Sequence, residues 1–437
     1  MATAMEVIAP EQDRAVANPS ASMERFDRAT ELATVRPDEA AALFHSLIVD
    51  DSLADDEALR LREQAVYALS DLYVATKRPT ELAALIRTTR GFLSSISKAK
   101  AAKLVRTLLD KFLAVTSATQ DAVNLIREFI DWTNEEKRTF LRQALEARLI
   151  ALYIDTRAYS EAIALSTALL KELKKLDDKP LLVEVLLLDS RTFHALANIP
   201  KARAALTSSR TYANAIYVPP VLQAALDLQG GVLHAEEKDF KTAYSYFIEA
   251  FEGFDSLNHK EALSALKYML LSKIMLQSSD EVASILTGKI ALKYSGSHVD
   301  AMRAVESAHK NRSLEQFQQA LVQYKAELTD DPNIRSHLQA LYDTLLEQNL
   351  QRIIEPFSRV EIKHVADLIQ LPVAQVETKL SQMILDKKLI GILDQGLGCL
   401  DVFAEQPADR TYNASIDTVQ FMGQVVDALY KKAQKLT

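Results

Sequence analysis

The 437-residue chain carries 10 glycines and 12 prolines, about 5% of its residues where the two together usually make up ~12%, so turn-rich sandwiches, barrels and doubly wound sheets give way to long helices on short loops. Its net charge of −8 sets the overall field against nucleic acid and anionic lipid and in favour of protein partners. The apolar and charged fractions, 48% and 25%, are those of a soluble globular protein, and a single cysteine, Cys399, can build neither an intramolecular disulfide nor a thiolate metal site, which fits a reducing intracellular setting.

Residues 1–25 are expected to form a disordered N-terminus. Glu6, Glu11 and Asp13 stand where a signal peptide would need a basic start and an apolar run, and no apolar run reaches the roughly 18 residues of a membrane span. From residue 26 to 225 the spacing predicts a solenoid of helix pairs. Isolated prolines separate long proline-free stretches, 80–179 and 221–331, as punctuation between helices does. Leu141, Ala144, Leu145, Leu149, Leu152 and Tyr153 form one helical stripe, with Thr133 and Glu136 as an expected capping box before it.

Short turns followed by amphipathic helices recur along the chain. Aligned on Leu82, Ala122, Ala162, Arg203, Ala243, Val282 and Phe317, the units are spaced by 40, 40, 41, 40, 39 and 35 residues. A period near 40 holds two helices and two loops, so each pair buries its apolar face on the next and the array is expected to be a right-handed helical solenoid. The units at Tyr159 and Phe240, with Ala162 and Ala243 at close-packing positions, resemble tetratricopeptide repeats with longer helices.

A further repeat region is expected over 226–355. Residues 333–355 read as its last helix, with Leu338, Leu341, Leu345, Ile353 and Ile354 on its apolar face. Beyond Pro356 the pattern changes over 356–405. Val360 and Ile362 alternate with charges as a short strand does, HVADLIQ and Val373–Lys388 read as two helices, and Ile390 and Ile392 face Leu400 and Val402 across a hairpin. Three of the ten glycines, at 391, 396 and 398, fall in this hairpin, and strand, two helices and hairpin make a winged helix. Residues 406–437 read as a linker and a terminal helix from Ser415 to about Lys435. Val419, Met422, Val426, Leu429 and Ala433 lie on one stripe and Phe421, Val425 and Ala428 beside it, a face that must pack on this chain or on another.

The sequence contains no phosphate-binding glycine loop, no His-Glu-x-x-His, no Gly-x-Ser-x-Gly and no Cys-x-x-Cys, and its eight histidines never stand at i, i+3 or i, i+4, so neither catalysis nor a metal or cofactor is expected. A winged helix raises DNA reading as a possibility. Between Ser358 and Phe403, however, Arg359, Lys363, Lys379, Lys387 and Lys388 face Glu361, Asp367, Glu377, Asp386, Asp394 and Asp401, a net of −1, and the second helix has no arginine. Pairing of the wing strands with another protein's sheet fits this composition better.

A helical-repeat array ending in a winged helix resembles the PCI module of the proteasome lid, the signalosome and a large translation initiation factor. The segments EQNLQRIIEPFSRVEIKHVADLIQLP and VETKLSQMILDKKLIGILDQGLGCLDVF carry the closer resemblance, to the PCI subunits of the proteasome lid, and it extends from about Arg60 to the terminal helix. It implies a noncatalytic scaffold that helps lid assembly and clamps the ATPase ring to the core particle, in the cytoplasm and nucleus. The implied partners are other PCI lid subunits, proteasomal ATPase subunits and a core-particle alpha subunit, with no nucleic acid or membrane and a monomer in isolation. The contact residues it implies are Ile390, Ile392, Leu400 and Val402 on the wing and Phe421, Val425 and Leu429 on the tail. A scaffold of another PCI assembly and a winged-helix nucleic-acid adaptor are the alternatives.

Overall fold

The computed structural model describes residues 19–49, 56–93, 96–116, 119–287, 293–294, 296–329, 331–403 and 410–434. The chain divides into two compact units, Met1–Leu233 and His234–Thr437. The first holds α1 (Pro19–Val35), α2 (Pro37–Val49), α3 (Asp56–Ala75), α4 (Pro79–Leu93), α5 (Lys98–Val115), α6 (Thr119–Glu135), α7 (Thr139–Asp155), α8 (Tyr159–Leu176), α9 (Lys179–Ala195) and α10 (Ile199–Ala213), and its boundary falls inside α11 (Pro220–Glu236). The stretch expected to be disordered through residue 25 is thus helical from Pro19, and residues 1–18 lie outside the described residues.

Prolines begin these helices more than they stop them. Pro19, Pro37, Pro79 and Pro220 are first residues, and Pro180 and Pro200 sit in first turns. There the missing N–H loses no hydrogen bond, because the first amides of a helix have no acceptor within it, and the fixed φ is already helical. Asp178 and Asn198 cap two of the same helices by accepting from the amides of Leu181 and Lys201 at 3.5 and 3.3 Å.

The turns inside the helix pairs explain how the chain forms so many with so little glycine. Lys77, Arg157 and Ala197 take left-handed φ of 54°, 61° and 57° just past the first helix of a pair, and Lys238, Gln277 and Arg312 do the same at 64°, 60° and 49° further along. In each case the next amide reaches back five residues to close the helix: Ala158 donates to the Tyr153 carbonyl at 2.8 Å, Asn198 to Phe193 at 2.9 Å and Asp239 to His234 at 3.0 Å. The positions 157, 197, 238, 277 and 312 are 40, 41, 39 and 35 residues apart, the interval read from the apolar pattern.

The buried register agrees except at one unit. Leu82, Ala122, Ala162, Ala243, Val282 and Phe317 are all buried, but in α10 the buried residue is Ala202 and Arg203 is exposed. The alignment therefore slips by one at this unit. Neighbouring alanines make the shift invisible in sequence, whereas the packing tolerates only the small side chain. Within the first unit α7 packs between α6, α8 and α9, so besides its expected stripe it buries Gln143, Glu146, Ala147 and Ile150. Thr133 does not cap it. It lies inside α6, where its hydroxyl donates to the Ile130 carbonyl at 2.8 Å, and Arg138 precedes α7 with no side-chain cap.

In the second unit α12 (Phe240–Ser256), α13 (Ala262–Met275), α14 (Ser279–Thr287), α15 (Ser297–Lys310), α16 (Leu314–Gln323) and the short α17 (Lys325–Thr329) continue the pairwise pattern. The last interval of 35 reflects shorter helices: α15 has 14 residues where α7 and α9 have 17. The 23-residue α18 (Pro332–Ile354), capped by Asp331, leads into the winged helix: β1 (Arg359–Glu361), α19 (Ile362–Ile369), α20 (Val373–Leu385), β2 (Gly391–Asp394) and β3 (Cys399–Val402). Its core joins Leu346, Leu350 and Ile354 of α18 to Val360, Val365, Leu380, Met383 and Leu400. After a segment outside the described residues, α21 (Arg410–Gln434) starts five residues before the expected Ser415.

Candidate assembly surfaces

The sheet of the winged helix is antiparallel with order β1-β3-β2, so both outer strands present an edge. The pairing differs by one residue from the one expected. Leu393 lies opposite Leu400, Ile392 opposite Asp401 and Gly391 opposite Val402. Because side chains alternate along a strand, a one-residue shift moves a set to the other face. Ile392 is consequently 60% exposed and Ile390 is also exposed, while Leu400, on the central strand between Val360 and Leu393, is fully buried. Leu400 is core and is not available to a partner while the domain is folded. Val402 is half-buried against the same core.

The three wing glycines are explained locally. A Cβ at Gly391 would stand 2.6 Å from the Asp401 carbonyl oxygen, so only glycine lets β2 approach β3 this closely. Gly398 has φ +65°, and the turn before it is held by Asp394, whose carboxylate accepts from the amides of Gly396 and Leu397 at 2.9 and 3.1 Å. The same turn leaves Leu397 exposed, and Phe403 just past β3 is exposed as well. Neither was among the expected contacts. Phe403 is out of phase with the inward Leu400 and the half-buried Val402, so the period of two finds it, whereas Leu397 lies in the turn, where that period does not run.

One partly buried charge fixes the winged helix on the repeat helix before it. Glu347 of α18 accepts from Lys379 of α20 at 3.0 Å and from Lys388, in the loop before β2, at 2.5 Å. Burial pushes its carboxyl up, but the two lysines outweigh that and hold it below the ordinary glutamate range.

Every described side chain of α21 is exposed. Phe421, Val425 and Leu429 share the surface with Val419, Met422 and Val426, so nearly the whole apolar stripe faces solvent. An amphipathic helix keeps such a stripe in water only at a cost of about 25 cal/mol per Å², and exposed apolar surface on this scale marks an interaction site. The expected wing and tail residues are therefore on two separate elements. Among the described residues no group of three or more His, Cys, Asp or Glu is placed to hold a metal ion, and no helix is long and apolar enough to cross a membrane.

Stacked helix pairs leading into a three-stranded winged helix, with a helix after it whose described side chains are all exposed, define a PCI-type scaffold. Family models match in the same order: the 26S proteasome regulatory subunit RPN6 N-terminal domain over residues 22–156, the PCI domain over 321–403 and the 26S proteasome subunit RPN6 C-terminal helix domain over 408–434. The probable 26S proteasome regulatory subunit rpn6 of Schizosaccharomyces pombe is 55% identical over 393 residues, 90% of this chain and 93% of the relative. The 26S proteasome non-ATPase regulatory subunit 11 homolog of Arabidopsis thaliana is 52% identical over 398 residues, 91% and 95% of the two chains. The 26S proteasome regulatory subunit RPN6 of Saccharomyces cerevisiae is 43% identical over 412 residues, again 91% and 95%. The chain belongs to the RPN6 family of 26S proteasome regulatory subunits, also named non-ATPase regulatory subunit 11.

Proposed function

We propose that this protein is a noncatalytic scaffold subunit of the proteasome regulatory-particle lid, present in cytoplasm and nucleus. It helps the lid assemble and clamps the ATPase ring to the core particle. The observation that carries this reading is α21: a 25-residue helix with an apolar stripe that no part of the described chain covers, within the segment matched by the RPN6 C-terminal helix model. A helix of this kind is stable in water only as a member of a bundle, so it belongs against helices of partner subunits. The exposed edge of β2, with Ile390 and Ile392, supplies a second contact through main-chain pairing with a neighbouring PCI sheet. Two modest contacts on one chain reinforce each other, because the first brings the second to high effective concentration.

The test is reconstitution of the lid from purified subunits with the full chain or with a chain ending at residue 409. The truncated chain is expected to remain folded and to be lost from the assembled lid. Normal incorporation would remove α21 from the assembly role. Phe421→Glu with Leu429→Glu repeats the test with the helix retained.

A further inference from the structure

Taking α21 as the assembly helix proposed above, we infer that it has a second docking face, separate from Phe421, Val425 and Leu429, for one helix of a partner subunit that crosses it closely at Gly423. Tyr412, Ile416, Val419, Gly423, Val426 and Tyr430 recur at alternating steps of four and three residues, and all six are exposed. That is the heptad spacing by which a helix keeps one seam against one other helix. At 100° per residue the seam is centred about 140° around α21 from the line through Phe421, Val425 and Leu429. Together the two faces make an apolar arc of roughly 220°, where a helix resting on a single surface needs ~100°. Between Ile416 and Tyr430 the only polar residue on that arc is Thr418, while Asp417, Gln420, Gln424 and Asp427 share the rest of the circumference. A helix apolar over so much of its girth lies between two neighbours.

Gly423 stands at the middle of the seam. Glycine is the poorest residue in a helix interior after proline, and a Cβ at this position would meet no atom within 4 Å, so the described chain gives the glycine no packing role. It leaves a hole between Val419 and Val426. A facing helix can set a side chain there while its axis comes to the short end of the 8–10 Å range of helix packing. The two tyrosines close the seam at its ends, ~27 Å apart at 1.5 Å per residue, each with a ring for the contact and a hydroxyl for the wet rim.

The flanks of the seam describe the occupant. Ser415, Met422 and Leu429 border it on one side without charge, and Gln420 and Asp427 on the other. The matching helix has an apolar heptad of its own, a large aliphatic side chain opposite Gly423 and a lysine or arginine facing Asp427. A second copy of α21 fits this less well, because no cation stands at a flanking position of its seam to meet Asp427.

The experiment reconstitutes the lid from purified subunits with the full chain, native or carrying Gly423→Ala, Gly423→Leu or Asp427→Lys. Alanine favours a helix over glycine, so amide hydrogen exchange across α21 of the free chain should slow in Gly423→Ala. Its incorporation should nevertheless weaken about tenfold, because the methyl group holds the facing helix off. Gly423→Leu should be excluded from the lid, and Asp427→Lys should incorporate about tenfold more weakly. A photo-cross-linking amino acid in place of Val419 and, separately, of Phe421 should capture two different helical segments of the assembled lid. Native-level incorporation of any of the three variants, capture of one and the same segment from both positions, or capture of a second copy of this chain from position 419 overturns the inference. Failure of the assembly role itself is distinct. Normal incorporation of a chain ending at residue 409 removes α21 altogether, whereas loss of that chain with full incorporation of Gly423→Leu removes only the second face.

Discussion

At the scale of single residues the repeat is marked by backbone strain more than by composition. A left-handed, non-glycine residue costs about 1 kcal/mol, and this chain accepts that at Lys77, Arg157, Ala197, Lys238, Gln277 and Arg312 because each turn closes a helix end and admits the next helix. Ala197 has no side-chain function that glycine would forfeit, so Ala197→Gly should stabilise the first unit by about 1 kcal/mol, seen as a higher midpoint in urea. Glu347 acts in the opposite sense. Glu347→Gln should destabilise the winged helix by about 2 kcal/mol, the scale of hydrogen bonds from charged donors. Its carboxyl is depressed in the folded state, so its contribution is fully present above the unfolded value near ~4.3 and is lost as pH falls through the folded value. Unfolding midpoints followed from pH 7 into this acid range should converge for the wild type and Glu347→Gln. None of the left-handed turns was legible in sequence, because Lys, Arg and Gln are ordinary residues of helix interiors. Only the hydrogen bonds that close the helix ends mark them.

At the scale of elements the wing shows what a pattern can miss by one residue. The glycines at 391, 396 and 398 located the hairpin, yet the alternation Leu389-Ile390-Gly391-Ile392-Leu393 admits two faces, and the inner one is chosen by Leu400 packing beside Val360 and Leu393. Gly391→Ala should open the β2 to β3 pairing, because its Cβ meets backbone that has no rotamer to adjust. Gly396→Ala meets only the Asp394 carboxylate at 3.3 Å and should be tolerated. Limited proteolysis of the hairpin distinguishes the two. Likewise, the tail helix was fully readable as an amphipathic stripe, but whether it folds back on its own chain is a question that periodicity cannot answer.

At the scale of the whole molecule α21 adds exposed apolar surface and none of its described side chains joins a buried core. Ending the chain at residue 409 should therefore leave the unfolding transitions unchanged, while reducing self-association of the isolated chain at high concentration, as light scattering would register. A lowered midpoint on truncation would show that α21 packs on its own chain after all. The sequence by itself determined the helical class, the 40-residue period, the winged helix and the apolar tail, because each follows from local spacing and from the scarcity and placement of glycine and proline. Tertiary structure alone decided the register of α10, the burial of Leu400 and the exposure of Ile392 and α21. Which side of an element faces the core depends on what the rest of the chain packs against it, and neighbours far apart in sequence set that.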